Sequence, residues 1–394
     1  MLRREFFRVA AASACGATIL RGGRAEPVAV QVGDVLPGRG VVWMRSAQPG
    51  QMTVRWRTTE KAEGNVRTVR GPMLSAATDF TGRVELRGVP AGQRIFYEAQ
   101  VEGGAPVEGS FRTAPESGGE VRFLWSGDMV GQGWGINPAI GGIRIFETMR
   151  RLEPHFFIHS GDTIYADGPI QAEVKLPGGA IWKNLVTEEK GKAAESLDEF
   201  RGAYRYNLLD ENVRRFTSEI PQVWQWDDHE VLNNWSPGKD LGSDGKYQEK
   251  NVQVLVSRAR RAFLEYAPIR LAGSRIHRKI TYGPLLDLFV LDMRSYRAAN
   301  SWNRQPAPSP ETAFLGAAQI NWLKHDLRRS KATWKVIAAD MPIALLVSDG
   351  KDRQGRPMFE ASANGNGPAL GRELEIADLL RDMKRHNVRN TIWL

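Results

Sequence analysis

The sequence predicts two halves, an all-β sandwich over residues 27–117 and an α/β domain over residues 118–394. Three observations carry that reading. Short runs that alternate apolar and polar residues, with Gly or Pro between them, fill the first half. From Glu120 onward, strand-like runs alternate with stretches of helical periodicity. Within that second half, an apolar run ending in Gly-Asp occurs twice, and a third acidic cluster follows.

The first half holds Val41-Val42-Trp43-Met44, Met52-Thr53-Val54-Arg55-Trp56 and short runs at 66–69, 83–86, 95–101 and 109–112. Strands at this spacing suggest a β-sandwich. The turn at 86–93, ahead of Tyr97, resembles fibronectin type III and related sandwiches. Residues 114–119 read as a linker. Beyond it, Ile145, Met149 and Leu152 share one helical face over 144–153, stopped by Pro154. One helix is expected over 196–217, with Phe200, Tyr204 and Leu208 on one face, and another over 247–266. A strand at 285–291 leads to Asp292-Met293-Arg294. Then come a helix at 317–329, a strand at 334–338, a helix at 373–385 and a strand opening at 388. Residues 298–312 and 348–370 read as loops, and no internal repeat is present.

The 394 residues suffice for two or three domains, and 25 % charged residues is ordinary for a globular chain. Of the net charge of +9, the first 25 residues hold five arginines against one glutamate, leaving +5 for the rest. No basic stripe interleaved with aromatics stands out, which argues against nucleic acid as a specific partner. Most of the twelve Trp, such as Trp125, Trp134, Trp226 and Trp235, read as core and pocket-wall packing. The single cysteine, Cys15, excludes a disulfide framework and a thiolate metal site.

Arg3-Arg4-Glu5-Phe6-Phe7-Arg8, an apolar stretch at 9–20 and Gly23-Arg24-Ala25 read as an export signal over residues 1–25. It resembles a twin-arginine signal, with Leu2 where Ser or Thr is usual. The expected location is therefore periplasmic or secreted, by way of the twin-arginine export machinery. That stretch is too short to span a bilayer and no other run is long enough, so no transmembrane anchor is expected.

Phe123-Leu124-Trp125 leads into Ser126-Gly127-Asp128, and Phe156-Phe157-Ile158 into Ser160-Gly161-Asp162-Thr163-Ile164-Tyr165. Each reads as a buried strand delivering a carboxylate to its carboxyl end, where open α/β sheets place ligands. Asp128 and Asp162 lie 34 residues apart, the length of one strand–helix–strand unit. The alternative is a pair of helix N-caps. With Trp226-Asp227-Asp228-His229-Glu230, four carboxylates would share one crevice. Like charges so close cannot all stay ionised without a cation between them, so two or more metal ions are expected.

Tyr165 reads either as a phenolate ligand for ferric iron or as a packed aromatic. His229 could donate to an oxyanion or leaving group, or make a structural hydrogen bond. Arg294 could bind a phosphate in bidentate fashion or pair with Asp292 at the surface. His159, in an apolar strand, reads as a core residue. The segment Gly131-Gln132-Gly133-Trp134-Gly135 lacks the spacing of a phosphate-cradling loop and reads as a flexible crevice lip.

Together these motifs, with Leu291-Asp292-Met293-Arg294 and Ala339-Asp340-Met341-Pro342, resemble the PhoD-like alkaline phosphatases, a branch of the calcineurin-like metallophosphoesterases. The resemblance implies a metallophosphoesterase-type two-sheet α/β sandwich with metals at the strand ends. It implies cleavage of phosphomonoesters or phosphodiesters by a metal-activated hydroxide, with Fe(3+) and Ca(2+), or else Zn, Mn or Mg. By the same resemblance Asp162 would bridge the metals, Asp128 and Tyr165 would bind the iron side, and Asp228 stands where the broader metallophosphoesterases place a metal-binding Asn. His229 would be the catalytic His and Arg294 a substrate contact. Many relatives offer a Cys near the first motif, and this chain has none there. Relatives also continue past the strand matching Asn390-Thr391-Ile392-Trp393-Leu394 into an Asp-x-His segment. The sequence therefore reads as incomplete at its C-terminus. The rival expectations are an inactive remnant that binds anions or a partner, and a phosphotriesterase or nucleotide-directed diesterase on the same scaffold. Metal identity, natural substrate and oligomeric state stay open at this stage.

Overall fold

The computed structural model describes residues 27–59, 66–271, 273 and 275–394. The export-signal segment and Cys15 lie outside the described residues. Seven strands open the chain: β1 (Ala29–Leu36), β2 (Arg39–Arg45), β3 (Gly50–Arg57), β4 (Arg67–Leu74), β5 (Thr81–Arg87), β6 (Arg94–Val101) and β7 (Val107–Arg112). Burial alternates along β6, as a strand with one solvated face requires. The strands β4-β3-β6-β7 form one antiparallel sheet. Val32, Val42 and Met44 of the facing strands pack against Val54, Trp56, Ile95 and Tyr97 in one apolar core.

Strands β1, β2 and β5 do not close a sheet of their own. After β8 (Phe123–Ser126), α1 (Ile145–Arg151) and β9 (Phe156–Ser160) comes a short hairpin, β10 (Glu173–Lys175) and β11 (Ile181–Lys183). Helices α2 (Leu197–Asn207) and α3 (Glu211–Glu219) then lead to β12 (Gln222–Gln225). The resulting six-stranded sheet has the order β5-β2-β1-β12-β9-β8, with β1 parallel to β12 at Gly33↔Gln222. A Cβ at Gly33 would lie 2.2 Å from the Pro268 carbonyl oxygen, so only glycine fits this seam. The separate sandwich expected from the sequence is thus fused by backbone pairing to the α/β half.

After α4 (Val252–Tyr266), a second sheet is built from β13 (Arg278–Tyr282), β14 (Leu286–Val290), β15 (Trp334–Ala338) and, after a hairpin of β16 (Ser348–Lys351) and β17 (Pro357–Phe359), β18 (Thr391–Trp393). Phe156, Ile158 and Val223 of the first sheet meet Leu288, Val290 and Val336 of the second in a shared core. Helices α5 (Ala317–Arg329) and α6 (Glu373–Arg385) cover the outer face of the second sheet. The layers therefore run helix, sheet, sheet, helix.

Two expected helices are altered by capping chemistry. The 196–217 helix is broken because the Asp210 carboxylate accepts from the Val213 amide at 3.1 Å and the Ile143 amide at 2.7 Å, starting α3 afresh. The 247–266 helix begins late, at Val252, where Asn251 accepts from the Gln253 amide at 3.0 Å.

A buried ion pair ties the first strand to the second sheet. Arg278 donates to both oxygens of Asp34 at 2.7 Å each, and Asp34 also accepts from the Arg270 amide at 2.7 Å. Removing one partner strands the other charge in the core. We expect Asp34→Ala to destabilise by about 3–5 kcal/mol in urea unfolding, and Arg278→Met to cost less in the Asp34→Ala background than in the parent. A single variant as stable as the parent would remove the pair from the fold's supports.

His159 is 3 % exposed, and burial lowers its imidazole to about 4. The unfolded chain then binds the extra proton first as pH falls from 6.5. The contribution is complete above pH 6.5 and fades as pH falls towards 4, by roughly 3 kcal/mol. Thermal melts from pH 7 to pH 4 should show His159→Gln losing less stability than the parent. Parallel curves for the two proteins would contradict this.

Candidate metal and catalytic site

Strands β8, β9 and β12 are parallel neighbours, so all three deliver their following residues to one edge. Asp128 and Asp162 both take left-handed backbone conformations there, with φ of 58° and 52°. Aspartate is one of the few non-glycine residues that tolerates this region. Neither caps a helix; the residue ahead of α1 is Arg144. Gly161, with φ of +88°, lets the β12 loop approach closely: a Cβ there would lie 2.4 Å from the Asp227 amide nitrogen.

Glu230, with no exposed surface, fastens the two loops together. Its carboxylate accepts from the amides of Asp162 (3.2 Å), Thr163 (2.6 Å) and Asp227 (2.8 Å), and from the Thr163 hydroxyl at 2.6 Å. Burial raises its carboxyl against the pull of those bonds. The product of this arrangement is a cluster of Asp162, Asp228 and His229, each offering one ligand atom within 4.8 Å of the others.

The electrostatics of the cluster are uneven. Burial first, then the charges of Glu230, Asp228 and Asp128, push Asp162 up to about 10. Burial also works against the charge on Asp228, but Arg294, 3.7 Å away, and His229 hold it below the usual carboxylate range. Crowded oxygen donors of this kind favour a proton or a cation between them. With an imidazole alongside, the set fits hard or borderline metal ions.

His229 is oriented by Asp167. Its Nδ1 lies 2.6 Å from Asp167 Oδ1, while Asp167 Oδ2 accepts from the Asn233 amide at 3.0 Å. Although burial opposes its charge, the bond to His229 keeps Asp167 low, so the carboxylate accepts and Nδ1 donates. Nε2 is then the ring nitrogen left for chemistry. Burial, the largest single influence, opposes the imidazolium, but the Asp167 hydrogen bond and the charges of Asp228, Asp167 and Glu230 together outweigh it and His229 is raised overall. The Tyr165 ring stacks on His229 at 4.1 Å between centroids and 23° between planes. Burial, then Asp162 and Asp128, raise the Tyr165 hydroxyl.

The glycine-rich lip is fastened. A Cβ on Gly131 would lie 2.4 Å from the Tyr165 ring. Asn184 accepts from the Gly135 amide at 2.8 Å and donates to the Gly133 carbonyl at 2.8 Å.

Two expected site residues are placed differently. Arg294 is 1 % exposed and lies beneath the crevice. Its Nε donates to Asp227 at 2.6 Å and lies 3.4 Å from Asp340, and it also pairs with Glu360. Four carboxylates, counting Asp228, enclose the guanidinium, which is neither open to the crevice nor paired with Asp292 at the surface. Asp128 sits on the rim: its amide donates to Gly161 at 3.3 Å, yet its side chain is exposed and outside the tight cluster. Asp167, Asp340 and Glu360 had no assigned role in the sequence. Asp167 has a faint signal, a carboxylate five residues past Asp162 in an otherwise apolar stretch; Glu360 has none.

The family model for PhoD-like phosphatase matches residues 123–394, and the model for the N-terminal domain of the same family matches residues 19–115. Alkaline phosphatase D of Bacillus subtilis (strain 168) is 26 % identical over 336 residues, covering 78 % of this chain and 54 % of that protein. The chain thus spans about half the length of this curated relative. A solved structure described as PhoD superposes with a TM-score of 0.72 at 22 % identity, over 95 % of this chain and 72 % of the other. The purple acid phosphatase PPD1 from yellow lupin seeds gives a TM-score of 0.53 at 12 % identity, over 92 % of this chain and 57 % of its own. At those identities the two structures speak for the fold alone. The family matches, which take in both halves of the sequence, decide the assignment: this chain belongs to the PhoD-like phosphatase family.

Proposed function

We propose that this chain hydrolyses phosphomonoesters, phosphodiesters or both with the help of bound metal ions. One observation carries the reading: Asp162, Asp228 and His229 converge within 4.8 Å at the carboxyl edge of the sheet. Asp162 and Asp228, with Asp128 and Tyr165 beside them, would hold the ions, and ferric iron with calcium suits oxygen donors that include a phenol. Bound ions supply charge neutralisation for phosphoryl oxygens and an acidified water as nucleophile. The rest is the work of protein groups. His229, its Nδ1 fixed by Asp167, directs Nε2 at the ester and gives its proton to the departing oxygen. Arg294 is a positioning residue that sets the carboxylates of Asp227 and Asp228 from below. We assign export by the twin-arginine route to residues 1–25, on their paired arginines, and catalysis to residues 118–394.

The deciding experiment assays purified protein on p-nitrophenyl phosphate and on its bis ester, with metal content read by plasma mass spectrometry. Bound iron and calcium, and turnover that disappears on chelation and returns on reloading, are expected. Metal-loaded protein that cleaves neither ester would sink the proposal, and the ratio of the two rates ranks the monoester against the diester.

His229→Ala should lower kcat by about 10²–10⁴-fold with little change in KM. Asp167→Asn should lower kcat by roughly 10–100-fold, again with KM held. An Asp167→Asn enzyme with parental kcat would show that the Asp167 contact does not orient His229.

A further inference from the structure

At the pole opposite the carboxylates, the segments entering β8, β9 and β12 meet the β6–β7 edge of the first half around a groove of about 480 Å³. Five arginines line this groove against three glutamates. Three of the five are matched. Arg122 lies 3.3 Å from Glu120, Arg150 is 2.8 Å from both Glu147 and Glu219, and Arg151 is 2.9 Å from Glu147.

Arg94 and Arg112 are not matched. They are direct cross-strand partners in the β6–β7 register, so their side chains leave the same face of the sheet. Arg112 donates to the Gly92 carbonyl at 3.1 Å, and neither arginine has a carboxylate partner among the described residues. Like charges placed directly opposite one another destabilise a strand pair. An anion between them would reverse the sign of that term. The neighbouring His155 reports the same field, because burial and then Arg112 and Arg122 hold its imidazole below the usual range.

We propose that this groove is a second anion site, distinct from the carboxylate crevice, that takes a short chain of closely spaced phosphates. The unmatched pair supplies the charge, one unit of which Glu153 on the groove wall offsets. The volume exceeds a single tetrahedral oxyanion, and the paired Arg122, Arg150 and Arg151 extend the wall with further donors. The five residues of β9 separate the two poles by about 16 Å, so a small ester in the crevice cannot also fill the groove. The assignment therefore stands apart from the hydrolytic reading and does not depend on it.

Titration calorimetry with tripolyphosphate and with inorganic phosphate tests this on the full chain. Tripolyphosphate should bind at least about tenfold more tightly than phosphate, and more weakly as salt rises. Arg94→Gln with Arg112→Gln should cost about tenfold or more in tripolyphosphate affinity while the melting temperature does not fall and ester turnover stays as in the parent. Asp162→Asn, which disrupts the crevice, should leave this binding intact. Absence of binding for both probes, unchanged affinity in the double arginine variant, or loss of binding in Asp162→Asn would each overturn the site. Equal affinity for the two probes would overturn its assignment to a phosphate chain.

Discussion

A single buried carboxylate sets the geometry on which the rest depends. Glu230 accepts four hydrogen bonds from the loops that follow β9 and β12. Those loops carry Asp162 and Asp228, and neither belongs to a regular element that would fix its own backbone. With Glu230 in place the amides of Asp162 and Asp227 face one acceptor, which leaves the Asp162 side chain to the cluster with Asp228 and His229 and the Asp227 side chain to Arg294 below. Each accepted bond to a charged group is worth about 1.5–3 kcal/mol, enough to hold two loops against their own freedom. The His229 amide adds a further tie, donating to Asp162 Oδ1 at 3.1 Å.

Such a floor concentrates negative charge, and the molecule answers with buried arginines. Arg294 meets Asp227, Asp340 and Glu360 from below, and Glu360 in turn lies near Arg297. Arg372 closes the layer through the carbonyls of Phe359 and Glu360 at 2.9 Å each. Burial, then the charges of its arginine neighbours, lowers Arg297. The cations under the crevice are therefore committed to structural carboxylates, and Asp162 above them stays uncompensated. That division keeps the hard oxygen donors free for an incoming ion while the loops stay rigid.

How much of this could be read from the chain depends on sequence distance. The Gly-Asp pairs announced themselves because a strand and its following residue are local, and β8 and β9 lie where the apolar runs place them, whereas β12, a Gln-Val-Trp-Gln strand, carries no such run. Tyr165 and His229 were visible as candidates for the same reason, since each belongs to a motif with an aspartate. Arg294 was visible as a residue but not in its role, because its partners Asp227 and Glu360 lie 67 and 66 residues away. Asp167 needed the fold: 62 residues separate it from the imidazole it orients. Strand β1 escaped notice because it is buried almost throughout, so no alternation marks it. Its place between β2 and β12 is a matter of topology alone.

That same strand explains why the two halves cannot be treated as beads on a string. A domain joined only through a linker turns about it, and its surface is free of the neighbour's chemistry. Here β1 carries the backbone ladder of the first half into β12, the strand that delivers Asp228. Asp34 on β1 clamps Arg278 on β13, and Arg278 in turn donates to the Trp224 carbonyl of β12 at 3.0 Å. Tyr97, from the other sheet of the first half, donates to the Ser218 carbonyl at 2.9 Å. Displacement of the first half therefore acts directly on β12 and, through Glu230, on the loop of Asp162. The first half is thus a structural wall of the crevice's supporting sheet, and the line between the halves, clear in the sequence, crosses a continuous sheet in space.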